Sequence, residues 1–449
     1  MRLKEFQLYK LVTDIIKIAT SKERLRQLWG IPLYSNTFYL VIASAVTSLL
    51  GFAFWIIVAR FYAVQDVGLA SATLVAMGLV VAIAHLGLQM GLIRFLPHAG
   101  ENANSMINTT FTIGILLTLA TAFIFVTGLG FWSPALIFLK QNPFYLAAFV
   151  LFAIASQISL LMDGIFIARR RANFVAARNL IFSLLKLSLP ILLAAFFHSF
   201  GIFASWGISI WVALLLSIFL FLPRVQPGYR PFFAVNRQVV NDMMRFSLAN
   251  YLSNLLWGVP TLVLPIMVVN LLGAEPTAFF YIAWTIATVP TVVSGAASTS
   301  LFAEGSHDEE RLGLNIRRSL KMSLLILVPA VILILAIADK LLLLFGGPYA
   351  ANATTLLRIL AISALPLTVN VIYLAIKRVE KKLKVLVGLT VFAAAVTLGL
   401  TYLLLPWMGI NGAGIAWLAT QGIIALVVVA SWLKGKGAAS RVKGLIFQK

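Results

Sequence analysis

Long apolar runs alternate with short polar gaps along most of the chain. Twelve runs are long enough to cross a hydrocarbon core, which takes about 20 residues as helix. They cover roughly 36–60, 67–95, 106–130, 144–168, 178–198, 202–222, 245–270, 277–303, 318–338, 354–377, 384–405 and 411–433. Backbone polar groups in lipid must be satisfied within their own segment, so each run is predicted to be a helix. The expected fold class is an all-α polytopic membrane protein. Ahead of the first run, Leu8, Leu11, Val12, Ile15 and Ile18 share one helical face between lysines. That pattern fits an amphipathic helix lying on the membrane surface, or a solvated arm.

The runs repeat. Gly201-Ile202, opening the sixth, lies over Gly409-Ile410, opening the twelfth. Ile165–Arg171 lies over Ile372–Arg378, and Ala59–Gly68 over Val269–Ala278. All three matches fall at an offset of about 207–210 residues. Six spans per half start both halves on the same side, so the repeat is parallel, with a pseudo-two-fold axis along the membrane normal. The expected organisation is an N-terminal arm (1–35), a six-helix bundle (36–224), a linker (225–244), a second bundle (245–433) and a basic tail (434–449).

Charge then orients the helices. Of 35 Lys and Arg residues, 30 fall in the N-terminal arm, in every second gap and in the C-terminal tail. Cytoplasmic loops retain positive charge, so both termini are expected in the cytoplasm of a multi-pass cell-membrane protein. The net charge of +21 would otherwise suggest nucleic acid. The basic residues instead flank apolar spans, which makes anionic membrane lipids the expected partners and nucleic acid an unexpected one. The chain has no cysteine, which excludes disulfides, thiolate metal sites and cysteine nucleophiles.

Polar residues inside the spans are the candidate chemistry, because they are expensive in lipid and tend to face a cavity or another helix. Ser71, Gly78, His85 and Gln89 form one stripe on the second span. Ser247, Asn250, Asn254, Gly258, Thr261 and Pro265 form another on the seventh. Helix-to-helix packing explains the small and hydroxyl residues as well as a cavity does. For His85, Gln89, Asn250 and Asn254 both readings stand. Pro260, Pro265 and Pro290 permit bending of the seventh and eighth spans. Asp163 and Lys186 lie inside the adjacent fourth and fifth spans at similar depth. They are expected to pair, either as a structural lock or as part of a site for an anionic substrate. Asp163 maps onto Asn370 in the repeat. Arg60 and Arg94 lie at opposite ends of the first two spans, as substrate ligands or as side chains reaching a headgroup.

Residues 36–97 carry a likeness. Val58-Ala59-Arg60-Phe61-Tyr62, Val67-Gly68-Leu69-Ala70-Ser71 and the stretch Leu86–Pro97 resemble the start of a polysaccharide-type flippase. Tyr281-Ile282-Ala283 and Ile410-Asn411-Gly412-Ala413-Gly414 add to it. The chain is thus similar to the multidrug/oligosaccharidyl-lipid/polysaccharide exporter superfamily, in its O-antigen or polysaccharide branch. The resemblance spans nearly all of residues 36–433, but its motifs are diffuse. It implies a V-shaped pair of six-helix bundles working by alternating access, without a cofactor or metal. The implied substrate is a polyprenyl-diphosphate-linked oligosaccharide, carried from the cytoplasmic to the outer leaflet. Other polysaccharide-assembly proteins are candidate partners.

Two alternatives compete with a flippase. A cation-coupled multidrug exporter of the same fold usually needs a buried carboxylate, and Asp163 is the one intramembrane candidate. A membrane enzyme needs a cluster of carboxylates or histidines on a sizeable loop. His85, His98, His198 and His307 are scattered, and the loops opposite the basic ones are short. Glu304, Asp308, Glu309 and Glu310 read as a solvated loop paired with Arg311. No phosphate-cradling glycine motif is present. A transporter, not an enzyme, is expected.

Overall fold

A computed structural model describes residues 32–194, 198–307, 312–380 and 382–446. The amphipathic reading of the N-terminal arm falls outside these residues, as does most of the acidic loop near residue 308. Among the described residues the fold is helical, with no strand.

Fourteen helices carry the twelve runs. They are α1 (Pro32–Phe61), α2 (Val64–His85), α3 (Leu88–Phe95), α4 (Ala103–Thr127), α5 (Pro143–Ala168), α6 (Ala172–Leu193) and α7 (His198–Leu216). The second set is α8 (Arg237–Leu272), α9 (Ala274–Thr288), α10 (Thr291–His307), α11 (Leu312–Leu343), α12 (Gly347–Val379), α13 (Leu383–Met408) and α14 (Ile410–Ile446). Ten helical stretches among the described residues are long and apolar enough to cross a membrane, and α9 with α10 makes an eleventh. The first predicted run lies in α1, whose apolar stretch Val46–Phe61 is described. The molecule is a multi-pass membrane protein built of two parallel sets of helices.

Two runs predicted as continuous helices are broken. The second ends at His85, because Leu86 and Gly87 turn left-handed at φ 42° and 72° before α3 begins. A left-handed residue cannot continue a right-handed helix, and glycine tolerates the turn at little cost. The predicted stripe from Ser71 to Gln89 is therefore split between two helices. The eighth run bends by 48° between α9 and α10, at Val289-Pro290. Proline removes the backbone donor that would carry the helix through. Pro260 and Pro265, by contrast, lie inside one continuous α8.

The two sets share a core at the end away from the basic loops. There Val67, Ala70, Leu74, Leu264, Val268 and Ala278 belong to one buried cluster. Gly68 of α2 sits so close to α9 that a Cβ would fall 1.7 Å from the Ala274 carbonyl oxygen. Membrane helices gain little from hydrophobic burial against each other, and close backbone approach through small residues supplies the contact instead. Toward the basic end the cores separate. One joins α3, α4 and α5 with the start of α8, and two smaller ones lie within α10, α12, α13 and α14.

The linker before α8 is held by side chains that the sequence reading did not single out. Asn108 Nδ2 donates to Arg230 O at 2.9 Å, and its Oδ1 accepts from the Tyr229 hydroxyl at 2.7 Å. The backbone N–H groups of Ala234 and Asn236 donate to Thr112 and Thr109. Extended backbone has no partners of its own, and α4 supplies them.

Candidate functional site

Three cavities among the described residues bear on the site. The largest of these three, about 510 Å³, is between the two sets: α2 and α3 contribute His85 and Gln89, α5 contributes Leu160, and α8 contributes Tyr251 and Leu255. The Tyr251 hydroxyl donates to the carbonyls of Ala82 and Ile83, tying α8 to the end of α2. His85 Nδ1 is buried without a hydrogen bond. Two expected residues, His85 and Gln89, thus line one cavity despite the break between their helices.

A second cavity, about 260 Å³, lies inside the first set, lined by Thr47, Ser156, Ser159, Arg178, Phe182 and Trp206 among others. Leu160 borders this cavity and the largest one. Here the expected ion pair is corrected. Asp163 bonds to Arg178, Oδ2 to guanidinium at 2.6 Å, and not to Lys186. Arg178 also donates to Ser159 O and Asn179 Oδ1. The physical reason is where α6 begins. It starts at Ala172, so Arg178 is a buried intramembrane residue and not a loop cation. Asp163 is five residues from the end of α5, and Arg178 six from the start of α6, so their depths match.

Lys186 lies about two turns deeper than Arg178, roughly 12 Å further along α6 at 1.5 Å per residue. Its side chain is 2% exposed. Three aromatic rings surround its ammonium: Trp206 at 4.2 Å, Phe182 at 4.8 Å and Phe54 at 5.1 Å. Gly51 lies alongside, where a Cβ would be in ordinary van der Waals contact with Nζ at 3.9 Å. Ring faces are the negative part of an aromatic quadrupole, and they replace part of the water the ammonium has lost. Arg178 and Lys186 against the carboxylate of Asp163 leave this region with one excess positive charge when all three are ionised. The sequence had a signal for the cage, since Phe182 is one turn before Lys186. The rotation of α1 and α7 that brings in Phe54 and Trp206 was not visible in it.

The remaining expected residues are dispersed. Arg60 donates to the carbonyls of Leu343 (2.7 Å) and Leu344 (3.0 Å), capping the end of α11 in the other set. The guanidinium of Arg94 lies 5.7 Å from the Phe95 ring centre, near the basic end. Asn370 is buried inside the second set, donating to the backbone and side-chain oxygens of Gln421 at 2.9 and 2.8 Å, and it lines none of the three cavities. Asn250 and Asn254 are on α8 but outside the residues whose side chains are described.

The third cavity, also about 260 Å³, lies inside the second set and was not anticipated. Trp257, Trp284 and Trp417 border it with Thr288, Thr291 and Ser363. Among the described residues there is no group of three metal-ligating side chains.

Solved structures share this architecture. An inward-facing multidrug resistance MATE family transporter of the MOP superfamily aligns at TM-score 0.66 and 17% identity, over 91% of this chain and 99% of that one. A MATE protein in complex with MaL6 aligns at 0.60 and 18%, over 95% and 100%. A MOP superfamily transporter from Pyrococcus furiosus, whose pocket of reverse polarity suggests a different function, aligns at 0.57 and 18%, over 93% and 98%. No curated protein sequence matches the chain. The MatE family matches residues 251–403, and the polysaccharide biosynthesis protein family matches residues 33–302, more than half of the sequence. The chain belongs to the polysaccharide biosynthesis protein family, on the MOP superfamily fold.

Proposed function

We propose that this protein is a flippase that carries a polyprenyl-diphosphate-linked oligosaccharide from the cytoplasmic to the outer leaflet of the cell membrane. The observation that carries the reading is Lys186, a buried ammonium with aromatic partners and no carboxylate partner among the described residues. A diphosphate supplies the missing anion. Asp163 is already engaged by Arg178, so it does not neutralise the lysine. The family match supports a polysaccharide pathway.

In this reading the two sets of helices rock about their shared core. The basic loops face the cytoplasm, and the cavities open alternately to each side. The membrane potential assists, because outward movement of one negative charge through 100 mV gains about 2.3 kcal/mol. The chain acts as a transporter and no chemical step is assigned to it. Anionic lipids around the basic loops are its membrane partners.

A cation-coupled multidrug exporter is the second reading, favoured by the MatE match over the second set of helices. It is disfavoured by the excess positive charge beside the second cavity, which would repel cationic drugs. Reconstitution separates the two. Proteoliposomes with purified protein are expected to flip a fluorescent prenyl-diphosphate oligosaccharide faster than empty vesicles. Efflux of tetraphenylphosphonium on a sodium or proton gradient, with no flipping, would replace the flippase by the exporter.

A further inference from the structure

We infer that the Trp-lined cavity of the second set is a subsite for a neutral sugar, and that the two sets divide the substrate between glycan and diphosphate. This rests on the flippase reading and adds to it where the sugar is recognised.

The two smaller cavities occupy equivalent places in the repeat. Ser156 and Leu160 border the first, and Ser363 and Leu367, 207 residues on, border the second. Ile210 corresponds to Trp417 at that offset, and Thr47 to Trp257 at 210. At these equivalent places the chemistry differs. The first cavity has Arg178 in its wall, with Lys186 behind Phe182 and Trp206. No charged residue borders the second among the described residues. It has three indole rings instead.

Pyranose rings present apolar C–H faces with hydroxyls around their edge. A flat aromatic face fits the first, and hydrogen-bonding groups fit the second. Trp284 and Trp417 stand edge to face, with ring centres 5.1 Å apart. Trp284 is half-buried, so part of its surface stays open to the cavity. Four of the five wall hydroxyls are prepared alike, the fifth, Ser294, being paired with the Thr368 hydroxyl at 2.6 Å. Thr261 donates to Gly258 O, Thr288 to Thr285 O, Thr291 to Thr288 O and Ser363 to Leu360 O. Each proton is thus spent on a helix carbonyl, which leaves oxygen lone pairs as acceptors. A sugar hydroxyl donates to such acceptors, whereas a phosphate oxygen is repelled by them.

A chain of aromatic residues leads from one site toward the other. Trp55, next to Phe54 of the lysine cage, meets Tyr281 of α9 with ring centres 4.7 Å apart. Trp284 is one turn further along α9. A diphosphate at Lys186 and its first sugars can therefore reach both sites at once.

The test uses full-length protein in nanodiscs and two sets of probes. One is farnesyl diphosphate. The other is farnesyl diphosphate carrying glucose, galactose, N-acetylglucosamine, rhamnose or glucuronate. Wild-type protein is expected to bind at least one neutral conjugate about tenfold more tightly than farnesyl diphosphate, and the glucuronate conjugate with no such gain. In Trp284→Leu and Trp257→Leu that gain falls to about onefold, while the affinity for farnesyl diphosphate is retained. Thr288→Val, at an exposed position, reduces the gain severalfold and keeps the assay informative if a tryptophan variant does not fold. If farnesyl diphosphate itself fails to bind wild type, the flippase reading fails. If it binds and no neutral sugar adds affinity, the subsite alone fails. Equal loss of both probes in the variants, or loss of tetraphenylphosphonium binding with the sugar gain intact, also overturns the subsite.

Discussion

Replacing Lys186 by methionine separates a functional lysine from a structural one through the sign of its effect on stability. Methionine keeps the length and apolar stem of lysine and removes only the charge. Two opposing quantities are lost together. Cation–π contacts are worth about 0.5–1 kcal/mol at exposed sites and about 2 kcal/mol when desolvated, and the three rings around Lys186 share one ammonium, so their contributions are not additive. Against them stands the desolvation of a 2%-exposed ammonium, several kcal/mol even after relaxation. No carboxylate offsets it, since Asp163 is held by Arg178. Apolar replacement of buried charge is often neutral or stabilising by about 1–4 kcal/mol.

Lys186→Met is therefore expected to stabilise the protein by about 1–2 kcal/mol, read from reversible unfolding in mixed micelles. It is also expected to reduce flipping of a prenyl-diphosphate oligosaccharide to the rate of empty vesicles. Lys186→Arg keeps a cation that stacks on aromatic faces and is expected to retain part of the activity. The reasoning is refuted if Lys186→Met loses more than about 1 kcal/mol while transport persists. The ammonium would then be holding α1, α6 and α7 together through its rings, and the anion would bind elsewhere.

Three further outcomes follow from named contacts. Asp163→Asn and Arg178→Met are each expected to destabilise by about 3–5 kcal/mol, and the double variant by clearly less than their sum, because each single change strands a buried partner; additive losses in a denaturation series would dissolve the pair as a unit. Arg60→Gln removes the charged cap on α11, worth about 1 kcal/mol at this exposed site, and is expected to let the two sets part more readily. Spin labels on Ala63→Cys and Gly347→Cys would report a larger share of long distances, and the cysteine-free sequence gives no background labelling. At Glu380, burial raises the carboxyl pKa but hydrogen bonds and charge from Lys377 and Lys382 outweigh it, leaving it below the ordinary 4.5. Its stabilisation is then present above pH 4.5 and lost as pH falls through the lowered value, so wild type and Glu380→Gln should differ by less than about 1 kcal/mol at neutral pH and converge in acid.

The parts of this molecule legible in the sequence are those governed by solvent. Lipid demands about 20 apolar residues per crossing, so the order of the crossings could be read from the runs. The break at Leu86-Gly87 was not legible, because both residues are apolar enough to extend the run and the left-handed turn changes no hydropathy. Arg178 was misplaced for a related reason. A charged residue about three turns from the centre of a run looks like its end, yet the helix starts at Ala172, and Asp163 on α5 makes the buried guanidinium tolerable. Sequence spacing fixes which residues share one helix face. It does not fix how neighbouring helices are rotated, and that rotation makes the lysine cage.

The repeat carries the argument one step further. Equivalent positions in the two sets keep the backbone path but differ in chemistry, as with Thr47 and Trp257 or Ile210 and Trp417. Two identical cavities would suit a symmetric ligand or two copies of one group. A polyprenyl-diphosphate glycan has a charged end and a neutral end, and a cavity suited to one repels the other. Burying a charge demands a partner, whereas burying a sugar demands aromatic faces and acceptors. A fold that starts from two equal halves can meet both demands only by letting their side chains diverge. On the proposed reading, the lysine cage in one half and the three tryptophans in the other are that divergence.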